Sequence, residues 1–61
     1  MSEGFILDWY DEEEDIRIQC LYEISNKGYC YETYNDSNGI SRRKRISEKA
    51  FISAFETYIN A

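Results

Sequence analysis

Nine residues near the middle of the chain, Ile16 to Ile24, alternate so regularly that they constrain everything around them. Ile16, Ile18, Cys20, Tyr22 and Ile24 fall on one side, and Arg17, Gln19 and Glu23 punctuate the other. A period of two is the mark of a half-buried β-strand, because successive side chains of a strand point to opposite faces. Such a strand needs partners. Tyr29-Cys30-Tyr31-Glu32-Thr33-Tyr34, rich in β-favouring aromatics and Thr, supplies one. Between them Ser25-Asn26-Lys27-Gly28 reads as a tight turn, with Asn-Lys-Gly suited to a type I turn closed by Gly28 at positive φ. If that four-residue turn sets the register, Cys20 lies opposite roughly Thr33 and Cys30 opposite roughly Glu23. The cysteines are then on opposite faces, offset by about three positions of roughly 3.3 Å each. That is too far for a disulfide, so two free thiols in a reducing compartment are expected.

Phe5-Ile6-Leu7-Asp8-Trp9-Tyr10 alternates as well and predicts a strand ahead of Ile16. Asn35-Asp36-Ser37-Asn38-Gly39 is a second turn cluster, with Gly39 as the left-handed residue. Residues 40–46 read either as a fourth strand or as a loop. As a strand they carry the Arg and Lys side chains with which an edge discourages pairing to other chains. Ser47 is a good N-cap for a helix of about Glu48 to Asn60, in which Phe51, Ala54, Phe55, Tyr58 and Ile59 form one apolar face. No proline interrupts it. The expected fold is α+β: an antiparallel meander of three to four strands with one C-terminal amphipathic helix packed on one face. The expected core is Phe5, Leu7, Trp9, Ile16, Ile18, Cys20, Tyr22, Ile24, Phe51, Phe55 and Ile59. A single helix covers one face only, which leaves Ile6, Tyr10, Leu21 and some of Tyr29, Tyr31 and Tyr34 exposed on the other.

Residues 1–61 read as a single small domain, short enough to bury only about 60% of its unfolded surface. Its 43% hydrophobic content, with three Phe, one Trp and six Tyr, is too apolar for a disordered acidic tail. No apolar run approaches the ~20 residues that span a bilayer. Met1-Ser2-Glu3 lacks the basic segment of a signal peptide, so the expected location is the cytoplasm.

Charge is distributed unevenly. Residues 1–36 hold ten acids and two bases, a net of −8, and residues 37–61 hold two acids and five bases, a net of +3. Five acids are consecutive, Asp11, Glu12, Glu13, Glu14 and Asp15, and four bases are consecutive, Arg42, Arg43, Lys44 and Arg45. Such asymmetry points to electrostatic recognition of a partner. The acidic run has three readings. It is a solvated hairpin loop, a weak Ca²⁺ or Mg²⁺ loop, or a decoy whose carboxylates stand where nucleic-acid phosphates would. The calcium reading fits poorly, because an EF-hand alternates its ligands and needs a central glycine. The decoy reading rests on spacing, since DNA carries about one charge per 1.7 Å of axis.

The basic run also divides its charges between two faces if it is a strand. It reads as edge protection, as neutralisation of acids within the fold, or as a nucleic-acid contact with Tyr29, Tyr31 or Tyr34 stacking on bases. The chain's net −5 opposes the last of these. A further use joins both runs, the acidic loop of one protomer docking on the basic edge of another in a homodimer.

Catalysis is not expected. The chain has no His, and its two separated cysteines form neither a zinc site nor a nucleophile–base pair. No Gly-rich phosphate loop or hydrolase signature occurs, and neither a metal nor a cofactor is expected.

In length, negative charge, lack of catalytic residues and sheet-plus-helix plan, the chain resembles the small acidic phage-encoded inhibitors of bacterial defence, of the anti-CRISPR and anti-restriction type. Phe51-Ile52-Ser53-Ala54-Phe55 is similar to a helix stretch of one such Cas9 inhibitor. The resemblance implies a non-enzymatic protein in the host cytoplasm that binds a CRISPR effector or restriction enzyme at its nucleic-acid surface. The charge pattern, independently, nominates Asp8, Trp9, Tyr10, Asp11, Glu12, Glu13, Glu14 and Asp15 as the partner-binding set, with Glu23 or Glu32 extending it if register permits. The alternatives are a nucleic-acid-binding or transcription-regulating module using Arg42, Arg43, Lys44 and Arg45, and a homodimeric structural protein.

Overall fold

The computed structural model describes residues 3–61; the Met1-Ser2 part of the N-terminal reading lies outside them. Strands β1 (Glu3–Asp11), β2 (Ile16–Ile24), β3 (Cys30–Asp36) and β4 (Ser41–Ile46) form one antiparallel sheet in the order β1-β2-β3-β4, and helix α1 (Glu48–Ile59) packs on one face. This is the expected α+β meander, with residues 41–46 resolved as a fourth strand. Strand β1 is longer than the alternation of Phe5 to Tyr10 suggested, because its pairing with β2 continues from Glu3↔Ile24 to Asp11↔Ile16.

Both later turns are built alike. In the β2–β3 turn the Ser25 N–H donates to the Tyr29 carbonyl (2.8 Å) and the Gly28 N–H to the Ser25 carbonyl (2.9 Å). In the β3–β4 turn the Asp36 N–H donates to the Ile40 carbonyl (3.0 Å) and the Gly39 N–H to the Asp36 carbonyl (3.1 Å). Gly28 and Gly39 stand at φ 86° and 87°, where a side chain is strained. These are three-residue loops, because Ser25, one residue past the last ladder pair Ile24↔Cys30, still bonds across to Tyr29.

That one residue overturns the expected register. Cys20 lies opposite Tyr34, not Thr33, and Cys30 lies opposite Ile24, not Glu23. Directly opposed residues share a face, so Cys20 and Cys30 are on the same face and both are buried. They remain free thiols, four positions apart along the ladder.

Ser47 caps the helix as its sequence suggested, its Oγ accepting from the Ala50 N–H at 3.1 Å. The helix runs from the β4 side of the sheet to Phe5 on β1. Phe5 is the hub: its ring lies 5.2 Å from Tyr22, 5.4 Å from Phe51, 5.5 Å from Phe55 and 5.0 Å from Tyr58. The buried set is Phe5, Ile16, Ile18, Cys20, Tyr22 and Cys30. Leu7, Ile24 and Phe51 are half-buried. Three expected core residues are not in it: Trp9 is 47% exposed, Phe55 43% and Ile59 59%. A twelve-residue helix covers only part of a four-stranded face, and none of its own residues is buried. On the opposite face Ile6 and Tyr10 are exposed as expected and Leu21 is half-buried. Among the described residues no helix is long and apolar enough to cross a membrane.

Candidate functional site

Asp11 to Asp15 form the β1–β2 hairpin, and its chain reversal explains why five acids can be consecutive. Asp11 Oδ1 accepts from the backbone N–H groups of Glu13 (3.0 Å) and Glu14 (3.2 Å), so one carboxylate organises the loop. Asp15 takes φ 56°, a left-handed conformation that Asp tolerates better than most side chains. The side chains of Glu12, Glu13 and Glu14 are exposed, and no ion pair among the described residues involves them. Their carboxylates do not converge: among the described residues no group of three or more Asp, Glu or Cys could hold a metal ion.

The flanking candidates divide around the strand. Asp8 pairs with Gln19 and Tyr10 with Arg17 on the face away from the helix, whereas Trp9, opposite Ile18, is on the helix face. Trp9 and Tyr10 are therefore two exposed aromatic groups on either side of the sheet edge, next to the acidic tip. Glu23 and Glu32 do not extend this surface. Glu23 faces Arg43 at 3.9 Å, and Glu32 accepts from the Tyr22 hydroxyl at 2.7 Å with Lys44 at 3.7 Å. Burial pushes the Tyr22 phenol well above its ordinary value, and the bond to Glu32 adds to this. Burial also raises the Cys20 thiol, assisted by the Glu32 carboxylate, which leaves it poorly nucleophilic.

Each residue of the basic run has a partner within the fold, although the Arg43 and Lys44 side chains stay 57% and 71% exposed. Arg42 lies 5.8 Å from the Tyr34 ring centre, Arg43 4.2 Å from Tyr31 and Arg45 3.9 Å from Tyr29. Each exposed contact of this kind stabilises by about 0.5–1 kcal/mol. Each tyrosine considered as a stacking platform for bases thus has one of the chain's own guanidinium groups over a face of its ring. Both ion pairs among the described residues, to Glu23 and Glu32, use this same strand, and none involves Asp11 to Asp15. Sequence reasoning missed these stacks, because they depend on the β3–β4 register Tyr31↔Arg45, Thr33↔Arg43 and Tyr34↔Arg42.

Asp36 is the second organising carboxylate. Partial burial pushes it up, but the Ile40 N–H, the Tyr34 hydroxyl, the Asn38 N–H and nearby Arg42 reverse this and hold it below its ordinary 3.8. A carboxyl depressed on folding stabilises above its unfolded value, and that stabilisation is lost as pH falls through the folded value. Thermal midpoints should therefore drop below about pH 3.8 more steeply in the wild type than in Asp36→Asn. Parallel acid branches in the two proteins would remove Asp36 as a contributor.

No protein-family profile matches the chain, and no curated protein and no solved structure is significantly similar to it.

Proposed function

We propose that this chain is a non-enzymatic binding protein that inhibits a nucleic-acid-processing enzyme by occupying its basic surface, the acidic hairpin standing in for phosphates. The observation that supports this most is the unequal treatment of the two charge runs. The four bases stack on tyrosines or pair with acids across the sheet, whereas among the described residues Glu12, Glu13 and Glu14 are exposed at the tip and take part in no ion pair. Net outward charge is therefore concentrated where a cationic groove would receive it. Trp9 and Tyr10, exposed on either side of the same tip, supply the large apolar contacts that dominate interface energetics. A phage or mobile-element inhibitor of a CRISPR effector or restriction nuclease is the version that its size and charge suit best.

The test is capture by immobilised protein from bacterial lysate at roughly 50 mM and roughly 500 mM salt, across which the Debye length falls from about 14 Å to about 4 Å. A nuclease or other nucleic-acid enzyme should be held at low salt, released at high salt, and displaced by its own DNA or RNA substrate. Retention of nucleic acid in place of protein would transfer the site to Arg42–Arg45. Indifference of the captured enzyme to its nucleic acid would exclude a decoy.

A further inference from the structure

The sheet has two open edges, and they are unequally protected: β4 by a run of cations, β1 only by the scattered acids Glu3, Asp8 and Asp11. Each terminal strand of β1-β2-β3-β4 presents a row of unpaired backbone N–H and C=O groups, a template for another strand. Strand β4 spans six residues and carries four cations, the usual defence. Strand β1 spans nine and has no Lys, Arg or Pro. Exposed apolar side chains also collect there. Of nine exposed large hydrophobic residues among those described, Ile6, Trp9 and Tyr10 belong to β1, Phe55 and Tyr58 touch Phe5, and Ile59 adjoins Tyr58 at the end of the helix.

We propose that β1 pairs with β1 of a second copy, antiparallel about a two-fold axis normal to the sheet, giving an eight-stranded sheet with both helices on one face. The register follows from parity and charge. Odd-numbered residues of β1 face the helix, so odd must oppose odd, and the numbers of two opposed residues sum to an even value. A sum of 14 sets Glu3 against the partner's Asp11, and a sum of 16 sets Asp8 against the partner's Asp8. Like charges directly opposed destabilise a ladder. A sum of 12 is the longest register free of such a clash: Ile6 meets the partner's Ile6, Phe5 the partner's Leu7, and Glu3 the partner's Trp9.

The net −5 of each copy does not prevent this. Antiparallel pairing sends the acidic hairpins to opposite ends. Asp11 stands five residues beyond Ile6, so the two hairpins begin about 33 Å apart, several times the physiological Debye length of about 8 Å. A second copy is also a better occupant than the β4 of a neighbour. The β4 cations already have partners within the chain, and β1-on-β4 contacts are head-to-tail, so they grow open-ended unless their rotation closes a ring.

Sedimentation equilibrium at about 100 µM should give twice the 7.3 kDa chain mass, with dissociation on dilution. Ile6 is 47% exposed, so Ile6→Lys should leave the circular dichroism unchanged and yield a 7.3 kDa monomer. Ile6→Cys should cross-link two copies under mild oxidation, whereas Asn38→Cys on the far turn should not. A wild type of 7.3 kDa at that concentration would overturn the proposal. So would open-ended growth with concentration, a dimer that survives Ile6→Lys, or capture of β1 by a strand of another protein in its place.

Discussion

Phe5→Ala is expected to remove most of the stability of this protein. Truncating a buried phenylalanine costs about 3–5 kcal/mol, through lost transfer free energy and the cavity left behind. A chain of 61 residues has a total of only about 3–9 kcal/mol at 0.05–0.15 kcal/mol per residue. The site has little capacity to collapse, since Phe5 is stacked on Tyr22 at 17° and met edgewise by Phe51 at 67° and Phe55 at 62°. Removing the ring withdraws the surface on which α1 rests. The variant should lose near-ultraviolet dichroism and cooperative urea unfolding, and its helix amides should exchange ahead of those of β2. Phe5→Leu, which keeps most of the volume, should retain a transition at lower urea. A cooperative Phe5→Ala transition at the wild-type midpoint would show that Phe5 is not the hub.

The triple replacement of Glu12, Glu13 and Glu14 by Lys should abolish target binding while sparing the fold. Asp11 and Asp15 are kept, because Asp11 Oδ1 holds the turn and Asp15 carries the positive φ. Three exchanges, each worth two units of charge, take the net from −5 to +1. Close ion pairs across an interface couple by about 1.5–7 kcal/mol, and reversal converts attraction to repulsion. A loss of at least a hundredfold, about 2.8 kcal/mol, is therefore expected against whichever enzyme the wild type captures. Most of the remaining affinity should be insensitive to salt. Thermal midpoints should hold or rise slightly, since adjacent like charges no longer repel in the loop. Undiminished binding by a folded variant would exclude the hairpin as the recognition element.

The sheet was legible where local chemistry decided it. Alternation in Ile16 to Ile24 placed a buried face correctly, Gly28 and Gly39 marked both turns, and Ser47 marked the helix start. Register was not legible, because it turned on whether Ser25 belonged to the loop or bonded across to Tyr29, and one residue of slip reverses every side chain of β3. Cys30 was thereby missed from the core, and the stacking of Arg43 and Arg45 on Tyr31 and Tyr29 was hidden. The helix period correctly put Phe51, Ala54 and Phe55 on one face. It could not show that the sheet is wider than the helix covers, which is why Trp9, Phe55 and Ile59 remain exposed. The acidic hairpin was readable from contiguity alone. The engagement of Glu23 and Glu32 elsewhere was not, because both depend on contacts across β3 and β4.

The hairpin and the basic strand also lie at diagonal corners of the sheet, about 25 Å apart by strand spacing and rise. Opposite charges so separated give the single chain a permanent electric dipole along that diagonal, distinct from its net charge and cancelled in a dimer whose two-fold axis is normal to the sheet. In the field near a charged surface a dipole experiences a torque, so the single chain would turn as it approaches. A cationic surface would meet the hairpin first, and an anionic one would meet β4 first. Moving charges between the two corners at constant net charge would alter this orientation while leaving the total Coulomb attraction at long range unchanged.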